Sequence, residues 1–207
     1  MKLYTYDPAP NARRLQLFMD YKGIEVETIQ VDMMTKAQLE PDFRAINPAC
    51  TVPALKLDDG TVLNEVIGAC VYLEAQFPDK PLLGGTALER AQVISWDHRL
   101  FNACFTAVAE ILRNGNPAFT DRALPGPLDV PQIPELVERG KLRLAPAWKM
   151  IDAALKDSTF LAGDAFSLAD IDLLIVTEFA GWVKESVPRE CSHIHAWMPR
   201  AQDALKN

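Results

Sequence analysis

The 207 residues are 49% apolar and 24% charged, enough hydrophobic material for one large domain or two modest ones, which excludes a disordered chain. The formal charge of −7 comes from 28 acids against 21 bases, and no run of bases could follow a phosphate backbone, so nucleic acid is excluded as a partner. No stretch of about 18 consecutive apolar residues could span a membrane, and the start MKLYTY lacks a charged segment leading into an apolar run and cleavage site, so a cytoplasmic protein is expected.

Lys2 to Tyr6 reads as a strand. The stretch YDPAPNARRLQLF follows, in which two prolines hold the backbone extended and Asn11 stands where a first helical turn opens. Ala12 to Lys22 places Leu15, Phe18 and Met19 on one helical face, with Gly23 as the stop. Glu25 to Val31 alternates and predicts a second strand beside the first; residues 36 to 46 read as irregular or helical. In VPALKLDDGTVL two short alternating runs flank Asp59-Gly60, a strong hairpin signal, and Asn64 is expected to cap a helix from Glu65 to Phe77.

Strand signals end at Thr86. Helical patterns cover Thr86 to Asn114, Pro134 to Lys156, Ser167 to Val183 and His193 to Leu205. This predicts two domains, a mixed one over 1–78 and an all-helical one over 86–207, joined by a linker at 79–85. The proline-rich stretch 116–134 is too long for an ordinary helix connection and reads either as a surface excursion or as a lid or pocket wall. Cys50, Cys70, Cys104 and Cys191 form neither a CxxC pair nor a zinc spacing and read as buried free thiols. His193 and His195 do not share a helical face, so no metal site is expected.

The β-α-β then β-β-α order is that of a thioredoxin-like domain. Pro53 lacks a ladder donor, so it sits at a sheet edge, is the first residue of a strand, or is the cis proline of that fold. In the latter case the backbone of Val52 turns outward, ready to pair with an extended peptide. The pattern INPACTVPALKLDDGTVLNEVIGACVYLE, with FLAGDAFSLADIDLL downstream, resembles the cytosolic glutathione transferase family over almost the whole chain. Ser167 and Asp170 in the second motif form a capping box, and Phe166 can staple against Ile171.

The resemblance implies a homodimer that takes glutathione as co-substrate, holds no permanent cofactor, and aims the glutathione thiolate at a small hydrophobic electrophile or a disulfide. The overall pattern is theta/zeta-like. The PAPN arrangement is similar to the bacterial nu class, which makes Asn11 the candidate donor to the sulfur; the alternative is that Asn11 is only a helix cap. Tyr4 and Tyr6 are rival donors. For the γ-glutamyl end the family pair reads Glu65-Val66, an acid without the usual following hydroxyl, so that the Val66 N–H and the helix dipole would take the carboxylate. Val52 would pair with the cysteinyl unit. Gln38 would reach the glycyl carboxylate, unless it is a solvated surface glutamine. Phe101, Phe105 and Phe119, with Leu112 and Trp182, could line the electrophile site or simply be core. Arg99 stands where theta members have an acid reaching across the dimer, with Asp97 nearby. Addition, substitution, ether cleavage and disulfide reduction all start from the same thiolate. The reading from another class is a non-catalytic binding or interaction module of the same fold.

Overall fold

A computed structural model describes residues 1–206. Its contacts divide the chain into two units, Met1–Lys80 with Leu124–Asp129, and Pro81–Ala123 with the chain from Val130 onward.

The first unit runs β1 (Lys2–Thr5), α1 (Pro10–Lys22), β2 (Glu27–Gln30), a 3₁₀ turn (Ala37–Leu39), α2 (Pro41–Arg44), β3 (Ala54–Lys56), β4 (Val62–Leu63) and α3 (Val66–Gln76). The sheet order is β2-β1-β3-β4, with β1 and β2 parallel and the other two pairs antiparallel, as in a thioredoxin-like domain. Alternation along β1 buries Leu3 and Thr5 on one face, and α1 supplies Leu15, Phe18 and Met19 to the core while α3 supplies Ala69, Cys70 and Leu73. Tyr4 points the other way, where its ring meets Phe43 edge-on at 6.2 Å. Gly23 ends α1 in the left-handed conformation, φ 68°, its N–H returning to Asp20. The hairpin turns at Asp59-Gly60, with Gly60 at φ 90° and Asp59 Oδ1 accepting from the Thr61 N–H.

Two helix starts in this unit differ from the sequence reading. α1 opens at Pro10 because a proline needs no hydrogen-bond acceptor at a first helical position. α3 is N-capped at Glu65 instead of Asn64, whose side chain is drawn away to Asn47. Lys22, whose side chain is fully buried, pairs with Glu74 at 2.7 Å and donates to the carbonyls of Asp79 and Lys80, fastening the ends of α1 and α3 to the segment that leaves the unit.

The second unit holds α4 (Ala87–Leu100), a π-helical turn (Phe101–Phe105), α5 (Thr106–Gly115), α6 (Glu135–Ala154), α7 (Leu168–Trp182) and α8 (Ser192–Ala204). A Thr86–Glu89 capping box opens α4. The single helix expected over 86–114 is thus interrupted by the π turn, where Arg143 of α6 takes up the Asn102 carbonyl. The expected Ser167–Asp170 box opens α7, the most deeply buried helix, and Phe166 packs edge-on against Phe160. Asp170, with no exposed surface, also accepts from the Leu161 N–H and the Trp197 indole N–H. Within the stretch 77–85, Leu82 and Leu83 are buried and the Leu82 carbonyl accepts from the Leu168 N–H, so that part of it is anchored. All four cysteines are free and buried. Among the described residues no helix is long and apolar enough to cross a membrane.

Candidate functional site

The topology brings three loops to one end of the sheet. β1 pairs antiparallel with β3, Tyr4 opposite Ala54, so the exit of β1 into α1 lies beside the entrance to β3 at Val52-Pro53. β3 pairs antiparallel with β4, Leu55 opposite Leu63, which brings the start of α3 alongside. Asn11, Val52-Pro53 and Glu65-Val66 therefore occur on successive loops at the same edge.

At the first loop the Ala9 N–H closes a turn onto the Tyr6 carbonyl, and Ala9 N-caps α1 without any side-chain hydrogen bond. Pro10 has no N–H to satisfy, and the Asn11 and Ala12 N–H groups precede the first intrahelical bond, which runs from Arg13 to Ala9. Asn11 sits one position past Pro10 and is not the cap. Its amide oxygen accepts from Arg14 Nη1 at 3.1 Å. Among the described residues its Nδ2 has no hydrogen-bond partner, so the half-buried amide presents an unused donor at an uncapped helix N-terminus.

At the second loop the Val52-Pro53 peptide is cis. The buried Asn47 organises this loop. Its Nδ2 donates to the carbonyl and hydroxyl of Thr51, and its Oδ1 accepts from the Ala49 N–H and from Asn64 Nδ2. All four amide valences are used within one turn of chain and the start of α3. Val52 buries its side chain in a cluster with Val31 and Phe43, against which Tyr6 and Ala9 pack. Its own N–H and C=O make no backbone hydrogen bond among the described residues, the condition for accepting an added strand. Cys50, in the left-handed region at φ 55°, is buried with its thiol on the Pro48 carbonyl at 3.5 Å.

At the third, Glu65 is exposed and makes no capping bond, while the Val66 side chain is core, 5% exposed. Only the backbone N–H of Val66 is available to a ligand, together with those that follow it, because the first intrahelical bond runs from Ala69 to Glu65.

The other sequence candidates fall elsewhere. Gln38 is 1% exposed, which overturns the solvated alternative; among the described residues its buried Oε1 has no hydrogen-bond partner. Tyr4 and Tyr6 both lie in the cluster around Val52, where they serve as packing. In the helical unit Phe105 is core, 5% exposed between Phe101 and Phe179, whereas Phe101 is 40% exposed on the same π turn. Phe119 lies under the Arg113 guanidinium at 4.8 Å, and burial lowers the pKa of that guanidinium to about 10. The exposed Trp182 ring meets Phe179 edge-on; Asp97 is buried, and Arg99 stacks on Trp96. His193 and His195 are occupied separately, by Asp152 and the Pro188 carbonyl. A depression lined by Tyr4, Ile29, Val31, Ala37, Phe43 and Ile46 includes none of Asn11, Val52, Pro53, Glu65 and Val66. Sequence reasoning passed over Arg14 and Asn47. Arg14 could have been found from its spacing of three from Asn11 on a helix, whereas Asn47 bonds through loop geometry that has no period.

Profiles for the glutathione S-transferase N-terminal and C-terminal domains match residues 9–76 and 115–202. Glutathione S-transferase GstA of Escherichia coli O157:H7 is 32% identical over 215 aligned positions, covering 99% of this chain and 97% of its own. Among solved structures, a glutathione S-transferase domain-containing protein of Marinobacter aquaeolei VT8 superposes with a TM-score of 0.87 at 31% identity, over 97% of this chain and 96% of the other. Gtt2 of Saccharomyces cerevisiae does so at 0.89 and 27%, over 100% and 99%.

Proposed function

Because the chain belongs to the glutathione S-transferase family, we propose that it is a glutathione-dependent enzyme in which the Asn11 amide and the open N-terminus of α1 hold the glutathione sulfur as a thiolate. The observation that carries this reading is the polarity of Asn11: its oxygen is engaged by Arg14 and its nitrogen is unused. A free thiol has a pKa of about 8.5, and lowering it by about 2 units takes roughly 2.7 kcal/mol. A hydrogen bond to a charged group supplies about 1.5–3 kcal/mol and a helix N-terminus about 0.3–1. Their sum reaches what is needed, so neither a tyrosine nor a serine hydroxyl is required at this position.

The tripeptide lies across the three loops. Its cysteinyl unit pairs with the N–H and C=O of Val52 ahead of the cis Pro53, its ammonium meets Glu65, and its γ-glutamyl carboxylate takes the open N–H groups of α3 from Val66 on. With the Val66 side chain in the core, the carboxylate is held by backbone alone. The thiolate then gives its electron pair to a small apolar electrophile, forming a bond from sulfur while the leaving group departs with the old bond's pair, or the pair shifts along a double bond. Two copies form the cytoplasmic dimer that the family resemblance implies.

Calorimetric titration with glutathione, with kinetics of Asn11→Ala, tests the reading. Binding in the wild type with a fall in kcat/KM of roughly 10- to 150-fold in the variant is expected, the cost of one charge-assisted hydrogen bond. No heat at millimolar glutathione would overturn it in favour of a non-catalytic module, and an undiminished variant would overturn the role given to Asn11.

A further inference from the structure

Arg14 is 3% exposed, a cation on the buried side of α1, one turn after Asn11. A carboxamide has two ends of opposite polarity, and rotation by 180° exchanges them at almost no steric cost. Asn11 with its nitrogen outward donates to an anion; with its oxygen outward it repels one. Nothing in the packing of an amide distinguishes the two. The guanidinium does, since it carries only donors and accepts from nothing. The contact of Arg14 Nη1 with Asn11 Oδ1 at 3.1 Å is therefore permitted in one orientation alone, the one that sends Nδ2 away from Arg14.

We propose that Arg14 is a positioning residue which locks the Asn11 carboxamide with its NH₂ toward the glutathione sulfur, a role that rests on the function proposed for Asn11. Arg14 does not touch the ligand; it removes the competing rotamer before the ligand arrives. Drawing on the amide oxygen also polarises the N–H bonds, strengthening the donor that faces the anion. Burial is part of the device, because an exposed arginine would lose the contact to water in much of the ensemble.

The test is a double-mutant cycle read on the pKa of enzyme-bound glutathione, followed by ultraviolet absorbance of the thiolate, in wild type, Arg14→Gln, Asn11→Ala and the double variant. Glutamine at 14 can present either its oxygen or its nitrogen, so it releases the lock. The expected result is a rise in the bound-thiol pKa of about 0.5–1 unit in Arg14→Gln, with a fall in kcat/KM at neutral pH of about 3- to 10-fold, and no further rise when the same change is made on Asn11→Ala. An equal rise in both backgrounds would mean that the arginine acts as a distant charge or a structural prop and would overturn the inference, as would no rise in either. If Arg14→Gln fails to fold, Arg14→Lys serves. Lysine is also donor-only, so a bound-thiol pKa within about 0.3 unit of wild type supports the lock, and a rise equal to that of Asn11→Ala refutes it. A bound-thiol pKa that Asn11→Ala itself leaves unmoved identifies failure of the functional reading, and the inference falls with it.

Discussion

Asp170→Ala should unfasten the helical unit. The carboxylate has no exposed surface and collects four donors: the Leu161 N–H at 2.9 Å, the Ser167 N–H and hydroxyl at 3.1 Å each, and the Trp197 indole at 2.8 Å. Alanine leaves them facing a small buried void. The hydroxyl can rotate to another acceptor; the other three donors cannot, at about 1–3 kcal/mol for each buried donor left unpaired. Against this, burial pushes the Asp170 pKa up in spite of its donors, so removing the charge returns part of the desolvation cost. The balance is a loss of about 3–5 kcal/mol, a large part of the roughly 5–15 kcal/mol that holds a domain folded. Asp170→Asn separates hydrogen bonding from shape. Its oxygen can keep the Leu161 and Trp197 donors, but its NH₂ then opposes the Ser167 N–H, for a loss of about 2 kcal/mol. Urea titration followed by tryptophan fluorescence should rank wild type above Asn above Ala, and the Ala melting temperature should fall by roughly 6–20 °C. An alanine variant within about 1 kcal/mol of wild type, or one more stable than the asparagine variant, would refute the claim that the donors and not the volume make this residue matter.

Two further outcomes follow from local geometry. Gly140→Ala should destabilise by about 1–2 kcal/mol despite the better helix propensity of alanine, because its Cβ would lie 2.6 Å from the Ala107 carbonyl oxygen and 2.7 Å from Ile111 Cγ1 where α5 meets α6; Gly181→Ala on α7, with nothing within 4 Å, should stabilise, and matching signs in thermal melts would contradict this. Asp152 accepts from the His193 ring and from the N–H groups of His193 and Ile194 that open α8; burial pushes its pKa up, but these bonds outweigh it and the net shift is downward. A depressed carboxyl stabilises above its unfolded pKa and loses that contribution as pH falls through the folded one. The roughly 1 kcal/mol deficit of Asp152→Asn at pH 7 should therefore shrink as acid is added below about pH 4, and a deficit constant across that range would count against the carboxylate as the favoured acceptor.

Features set by near neighbours in the chain were legible. The Gly23 stop, the Asp59-Gly60 turn and the Ser167–Asp170 box each require only a residue's own conformational range or a partner three positions away. The same holds for the strand and helix order, since period 2 and period 3.6 are written in the residues themselves. Small displacements had local competitors: proline opened α1 early, and Asn47 took the side chain of Asn64 from the helix it was expected to cap.

What the sequence determined alone was the set of chemical groups, the order of the elements and the ends of most helices, because those depend on interactions within about one turn. Tertiary structure decided which of two similar groups is usable. Phe101 and Phe105 are both aromatics of one π turn, yet only packing against Phe179 makes the second one core. Gln38 reads as a surface amide until the turn that carries it is folded inward, and the valine of Glu65-Val66 becomes a pure backbone donor once its side chain is buried. Asn11 contains both a donor and an acceptor in its formula; choosing between them needed a guanidinium held in place by the fold, and orientation in space is a property that composition and spacing do not carry.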